Sequence, residues 1–397
     1  MSTLIHVDLQ RSFPRVFVPE NADMGDWAQI EPLFTALLGC RPASLEELEQ
    51  WLTNCSELWS ALWEEKAKRS IAVTSQTDDP VREVSYRKFV EEIEPRAKTL
   101  AQALEKAYLE NPLRKRLPSQ RFAVMDRKIE NNVALFREKN VPLETQDSLL
   151  RQDYHKIMGA MTVSVDGVDL TLEQASKYLD DPDRAVRERV WRQIVARRLE
   201  DKEALEEIFD RLVALRTEIA ANADFPNYRD YMFRRLERFD YTSEDCFRFH
   251  DGVESAVLPV FRNILLRRQK LLKVDRLRPW DRDVDPLHRP PLRPFTSAAE
   301  LVHGTHEVFT HVHPALAKQF RFMADHGLLA TKNAQFPTSR SGSTPNGVHV
   351  EYTTPHDNAH FLWLDKYPFG DEDSCLEFRI SKTKPRVSEG QKATGPS

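Results

Sequence analysis

The sequence predicts a mainly α-helical protein, a large helical body with one β-hairpin near residues 161–172. Three observations carry this. Apolar residues recur at helical spacing through most of the first 326 positions. Helix-start chemistry recurs in front of those stripes. Only one stretch alternates as a strand pair does.

Residues 1–25 read as extended, with prolines at Pro14 and Pro19. From Asp26, Trp27, Ile30, Phe34 and Leu37 mark a first helix. Ser44 and Glu47 form a capping box, in which each side chain bonds the other residue's free N–H. Leu48, Trp51, Leu52, Cys55, Leu58, Trp59 and Leu62 then make a wide apolar stripe, and the tryptophans are expected in the core. Asp79-Pro80 opens the next helix, with Pro at a position where its missing N–H costs nothing. It continues through Tyr86, Phe89, Val90 and Ile93, and Pro95 is expected to kink or break it. Helices are predicted over 97–110, 119–138 and 144–159, the last entered through Asn140 to Leu143.

The strand signal is MTVSV and VDLTL, two β-branched runs around Asp166-Gly167, a dipeptide that suits a turn with positive φ at both central residues. Thr171 with Gln174 caps a short helix reaching Leu179. After Asp181-Pro182-Asp183, one long helix is predicted over 184–222, its buried stripe being Val186, Val190, Ile194, Leu205, Ile208, Phe209, Leu212, Leu215 and Ile219. Another runs from Thr242 to Val274, kinked at Pro259. Residues 275–296 hold five prolines and read as an ordered loop or linker. Ser297 and Glu300 make a further capping box for a histidine-rich helix that Pro314 closes, and a short helix to Asp325 follows. Beyond Thr331 helical periodicity stops, and Ser388–Ser397 is expected to be disordered.

Composition bounds the function. Of 397 residues, 41% are hydrophobic and 30% charged, with net charge −5 spread along the chain, so no basic footprint for nucleic acid or anionic membrane is present. Cys40, Cys55, Cys246 and Cys375 lack a CxxC pair, which argues for a reducing compartment and against a thiolate zinc site. The N-terminus shows no basic region followed by an apolar run, no window is apolar enough to span a bilayer, and the expected location is the cytoplasm.

Ligand-type side chains crowd together in one place, HGTHEVFTHVHP, residues 303–314. His306, Glu307 and His311 read HExxxH, and histidines five apart point about 140° away from each other on a helix. His303, Glu307 and His311, spaced four and four, share a face spread over about 80° and are the candidate metal ligands. Against that, Leu301, Thr305, Val308, Phe309, Val312 and Leu316 form an apolar stripe and the three lie opposite it, as on any surface helix. Elsewhere, His155 and His250 lie within helices without a second catalytic group. Asp281, Asp283 and Asp285 alternate as in a calcium loop but lack its Gly and terminal Glu. The Ser339 to Ser343 run lacks the Gly-Lys-Ser of a phosphate loop, and His356 and His360 are four apart in the irregular tail.

Three segments resemble the N-terminal region of the oligoendopeptidase F group of zinc metallopeptidases, relatives of thimet oligopeptidase. They are GAMTVSVDGVDLTLEQASKYLDDPDRAVRERVWR from Gly159, IAANADFPNYRDYMFRRLERFDYTSEDCFRFH from Ile219, and LRPWDRDVDP from Leu277, and the likeness ends near His326. The resemblance implies a largely helical fold with a deep channel for short peptides, of which this chain supplies one wall. It implies zinc as the family's cofactor, bound by HExxH and a downstream glutamate, with the motif's Glu activating the metal-bound water. No HExxH occurs in these 397 residues, so no catalytic or metal residue carries over. The resulting expectation is a truncated member: an N-terminal helical domain over 1–180, the first helical part of a peptidase-like domain over 181–330, and a divergent tail over 331–397. It is inactive on peptides by itself and self-associates through uncovered apolar surface. The alternatives are a non-catalytic peptide- or protein-binding helical module and a His-rich metal-binding helical protein.

Overall fold

The computed structural model describes residues 15–76, 78–289, 294–326 and Leu329. The expectations for residues 1–14, for the tail from Thr331 with His356 and His360, and for Cys375 lie outside the described residues.

Helix α1 (Trp27–Gly39) starts where Asp26 accepts the Ala28 N–H at 3.1 Å. It buries Ile30, Phe34 and Leu37 against α2 (Leu45–Ser75), which contributes Leu48, Trp51, Leu58 and Leu62. Trp51 is in the core and donates its Nε1–H to the Leu37 carbonyl at 2.9 Å, closing the end of α1. Trp59 is 37% exposed and sits at the rim, a departure from the expected core position. The capping box at Ser44 is displaced by one residue. Ser44 accepts from the Glu47 N–H at 3.2 Å, but the Glu47 carboxylate bonds the Ala43 N–H at 2.7 Å.

Helix α3 (Pro80–Lys88) does not break at Pro95. It passes through a π-helical turn (Phe89–Ile93) into α4 (Glu94–Glu110). A proline ring in a helix clashes with the carbonyl four residues earlier, and the wider π turn makes room for it. The turn also buries Phe89, Val90 and Ile93 together in the first core. Glu94 sits among amines: Lys66 at 2.8 Å and Lys98 at 3.1 Å, with Lys98 also 2.8 Å from Glu144 of α6 (Asn140–Gly159). Burial pushes the Glu94 carboxyl up, and the two lysines outweigh it and hold it below its ordinary value.

Helix α5 (Ser119–Leu135) leads to α6, whose first turn includes Asn140 to Leu143, the stretch expected to precede it. The hairpin is β1 (Thr162–Val165) against β2 (Val168–Thr171), with Val165 opposite Val168 and positive φ at Asp166 and Gly167. Val163 and Val165 point into a core with Met161, Leu172, Val190 and Ile194. Thr171 and Gln174 make both bonds of a capping box and start α7 (Leu172–Ser176).

The predicted long helix is two, α8 (Arg184–Glu200) and α9 (Lys202–Asn222), broken at Asp201. The apolar stripe of α8 ends at Ile194, Arg197 and Arg198 follow, and the next side chain on that core is Leu205, beyond the joint. Phe209 is exposed, while Ile208, Leu212 and Ile219 are buried against α5, α6 and α10 (Tyr228–Arg235). The run from Ser243 is α11 (Ser243–Gly252), a second π turn (Val253–Val257) and α12 (Leu258–Leu272), again with proline, Pro259, just beyond the π turn. Helices α13 (Ala298–Val312) and α14 (Pro314–Asp325) form a hairpin, with Pro314 opening the second. No helix among the described residues is long and apolar enough to cross a membrane.

Candidate functional site

The histidine-rich helix α13 is capped by Ser297, which accepts the Glu300 N–H at 3.2 Å, while Glu300 accepts from the Thr296 N–H at 2.6 Å. Phe309 packs edge-on against Phe320 of α14, ring centroids 5.4 Å apart. The rest of the apolar stripe is less covered than expected, since Val308 and Val312 are exposed. His303 and Glu307 meet on the solvent side, Nε2 to Oε1 at 3.4 Å. His311 does not join them, since its Nδ1 lies 2.8 Å from the Glu307 carbonyl oxygen. His306 and His303 face an open groove of about 460 Å³ between the two helices, lined also by Val302, Phe320 and Arg321. Arg321 is held by Asp325 at 3.1 Å.

Of the three candidate ligands, His303 and Glu307 pair with each other and His311 turns its Nδ1 to the Glu307 carbonyl. Among the described residues no group of three or more His, Cys, Asp and Glu is placed to hold a metal ion. His155 is an exposed residue on α6 with its ring edge-on to Tyr154, and His250 is an exposed residue on α11 between Phe247 and Phe249.

The alternating aspartates resolve into different roles. Asp281 is buried and receives Arg184 in a two-point fork, both bonds at 2.9 Å, with Arg187 donating at 3.1 Å. Arg187, also buried, donates to the carbonyls of Trp280 at 2.7 Å and Asp181 at 2.7 Å. Burial drives the Asp281 carboxyl up, and the bonds from Arg184, the Arg278 N–H and Arg187 outweigh it, leaving it below the usual carboxylate range. Arg268 of α12 donates to the Asp281 carbonyl at 2.7 Å and also to that of Val284. Trp280 packs on Trp191, centroids 5.2 Å apart. Asp285 instead caps its own loop, accepting from the Leu287 N–H at 3.0 Å and pairing with Arg289 at 2.6 Å. The proline-rich stretch is therefore anchored on the start of α8 by one carboxylate. The signal for this in the sequence was the presence of both partners in the family-like segments, DPDR and LRPWDRDVDP. Nothing in either indicated that they touch.

Three solved structures share this architecture. A protein described as an oligoendopeptidase F, from a 3.1 Å X-ray structure, aligns with TM-score 0.73 at 23% identity over 79% of this chain and 55% of its own. PZ peptidase A with inhibitor 2 aligns with TM-score 0.73 at 23% identity, over 79% of this chain and 56% of its own. A protein from Bacillus anthracis str. Ames, also described as an oligoendopeptidase F, aligns with TM-score 0.73 at 20% identity, over 79% of this chain and 58% of its own. The chain thus spans little more than half the length of the structures it matches. No curated protein matches its sequence. Residues 177–317 match the model of Peptidase family M3, a segment that begins just after α7 and ends within α14. That segment is thus similar to peptidase family M3, and the helical body around it has the fold of these three structures.

Proposed function

We propose that this chain forms one wall of a peptide channel of the M3 type and does not hydrolyse peptides by itself. The observation that supports the reading is the absence of HExxH from all 397 residues, in a chain whose residues 177–317 match a peptidase family. Without two histidines four apart around a glutamate, no zinc-bound water is generated on this pattern. The division of labour that follows has an N-terminal helical domain over 1–180 and the first helical part of the peptidase-like domain over 181–330. The start of the family match at 177 supports that boundary. The scattered cysteines, free at Cys40, Cys55 and Cys246, suit the cytoplasm.

The exposed apolar residues of α11 and α12 favour a second reading, a non-catalytic module that holds peptides or a protein partner. The test is a quenched fluorogenic short peptide incubated with purified, untagged chain, with and without added zinc and chelator, alongside anisotropy of a labelled peptide. Both readings predict no chelator-sensitive turnover, and a surface that holds peptides predicts saturable binding of the short peptide. Chelator-sensitive turnover by the chain alone refutes the proposal, and loss of peptide binding moves the function to a protein partner.

A further inference from the structure

One side of the groove between α13 and α14 is set by helical spacing. Ala298, Ala299, Val302, His303 and His306 occupy an arc of about 140° on α13, with His306 near its middle. Glu300 and Glu307 lie outside that arc, and each is already engaged, Glu300 with Thr296 and Glu307 with His303. Across the groove, α14 supplies Phe320, Arg321 and Ala324. The lining therefore holds apolar surface, two imidazoles and one guanidinium, and no carboxylate.

Two of these polar groups have donors to spare. His306 is half-buried, and its ring makes no hydrogen bond, ion pair or ring contact among the described residues. Either tautomer presents one ring N–H. Arg321 is tied to Asp325 through Nε, at 3.2 Å to Oδ2 and 3.1 Å to Oδ1, which leaves its two Nη groups without a partner among the described residues. A guanidinium edge and an imidazole N–H beside apolar surface suit a ligand that joins a carboxylate to an apolar body, since the planar fork matches two carboxylate oxygens. Arg321 disfavours a cation in the same place. The volume of about 460 Å³ lies within the range of small-ligand sites, so the groove takes the last residue or two of a peptide and not a folded partner.

We propose that this groove binds the C-terminal carboxylate of a short peptide whose last side chain is apolar. The carboxylate sits on Arg321 and His306, and the side chain lies against Val302 and Phe320. The inference rests on the reading of this chain as a surface that holds peptides, and it names the end of the peptide that is held and the residues that hold it. A site this small, with two polar anchors, is expected to bind with Kd of about 0.1 to 5 mM.

The test is nuclear magnetic resonance of the full chain carrying isotope-labelled histidine, with the His306 ring signals assigned by their loss in His306→Asn. The probe is N-acetyl-alanyl-leucine with a free carboxylate, and its C-terminal amide is the control. The acid is expected to shift the His306 signals saturably, and the amide to bind at least tenfold more weakly. Arg321→Gln is expected to weaken the acid about tenfold or more, and Arg321→Lys less, since lysine keeps the charge and loses the fork. Ala299→Trp, at an exposed position, fills the groove and is expected to abolish the shift with far-UV circular dichroism unchanged. His306 signals that do not move overturn the proposal, as does equal binding of acid and amide. Peptide binding followed by saturation transfer to the leucine methyls gives the remaining arm. Binding that survives both Arg321→Gln and Ala299→Trp overturns this site and leaves the peptide-holding reading standing, whereas no peptide binding at all overturns both.

Discussion

Asp281 shows how much one side chain organises here. A carboxylate buried with two guanidiniums recovers its desolvation cost only through well-directed bonds, and the fork from Arg184 supplies that geometry, which a lysine does not. Asp281→Asn keeps the shape and leaves Arg187 buried without its counter-charge, for an expected loss of about 3–5 kcal/mol in urea unfolding at pH 7. The pH dependence has a definite sign. The folded carboxyl titrates below its unfolded value of about 3.9, so its stabilisation is present above that pH and fades as pH falls towards the folded value. The gap between wild type and Asp281→Asn is therefore expected to narrow below about pH 4. An equal gap at all pH values would show that Asp281 acts through packing alone. Both partners are visible in the sequence as family-like residues, but their contact spans 97 positions and no local pattern encodes it. The histidines gave the opposite case. Their spacing was legible, yet the tie of His311 to the Glu307 carbonyl depends on a rotamer that spacing does not fix.

At the level of elements, caps and turns were legible because their chemistry is local. Asp26, Ser44, Asp79, Thr171, Thr242 and Ser297 all cap helices by accepting backbone N–H groups. Joints were less so. Pro95 and Pro259 read as kinks or breaks, and each is instead accommodated by the π turn that ends two residues before it. The choice between kink and π turn is made by what the neighbouring helices bury, as with Phe89, Val90 and Ile93. The break at Asp201 was missed because Val190, Ile194, Ile208 and Leu212 keep a helical look on both sides while serving two different cores. The hairpin turn offers a clean test. Gly167 has φ of 82° and open space around a would-be Cβ, so a substitution there meets strain and no clash. Gly167→Ala is expected to cost about 1–2 kcal/mol. Asp166→Asn, at φ of 52°, is expected to be close to neutral in the same thermal melts, since Asn tolerates that region. A neutral Gly167→Ala would mean the turn relaxes to another type.

The whole molecule is unevenly closed. Among the described residues, four apolar clusters draw on residues from Phe17 to Met232, including contributions on both sides of residue 180. Past Tyr241 the balance changes. Leu277, Trp280 and Val284 are buried around the Asp281 anchor and Ala317, Phe320 and Met323 on α14, but α11, α12 and α13 bury nothing. The family match lies across this transition, covering α8 to α10, which pack into closed cores, and then α11 to α13, which do not. Helices whose backbone bonds face water open by local fluctuation, whereas those in the clusters open only with the global transition. Hydrogen exchange should therefore separate two classes. Amides of α1, α2, α4 and α9 are expected to exchange slowest and to report one common stability. Those of 243–272 and 298–312 are expected to exchange faster by orders of magnitude, with the last turn of α12 held back by Arg268. Uniform protection across both parts would mean that something covers the bare helices in solution.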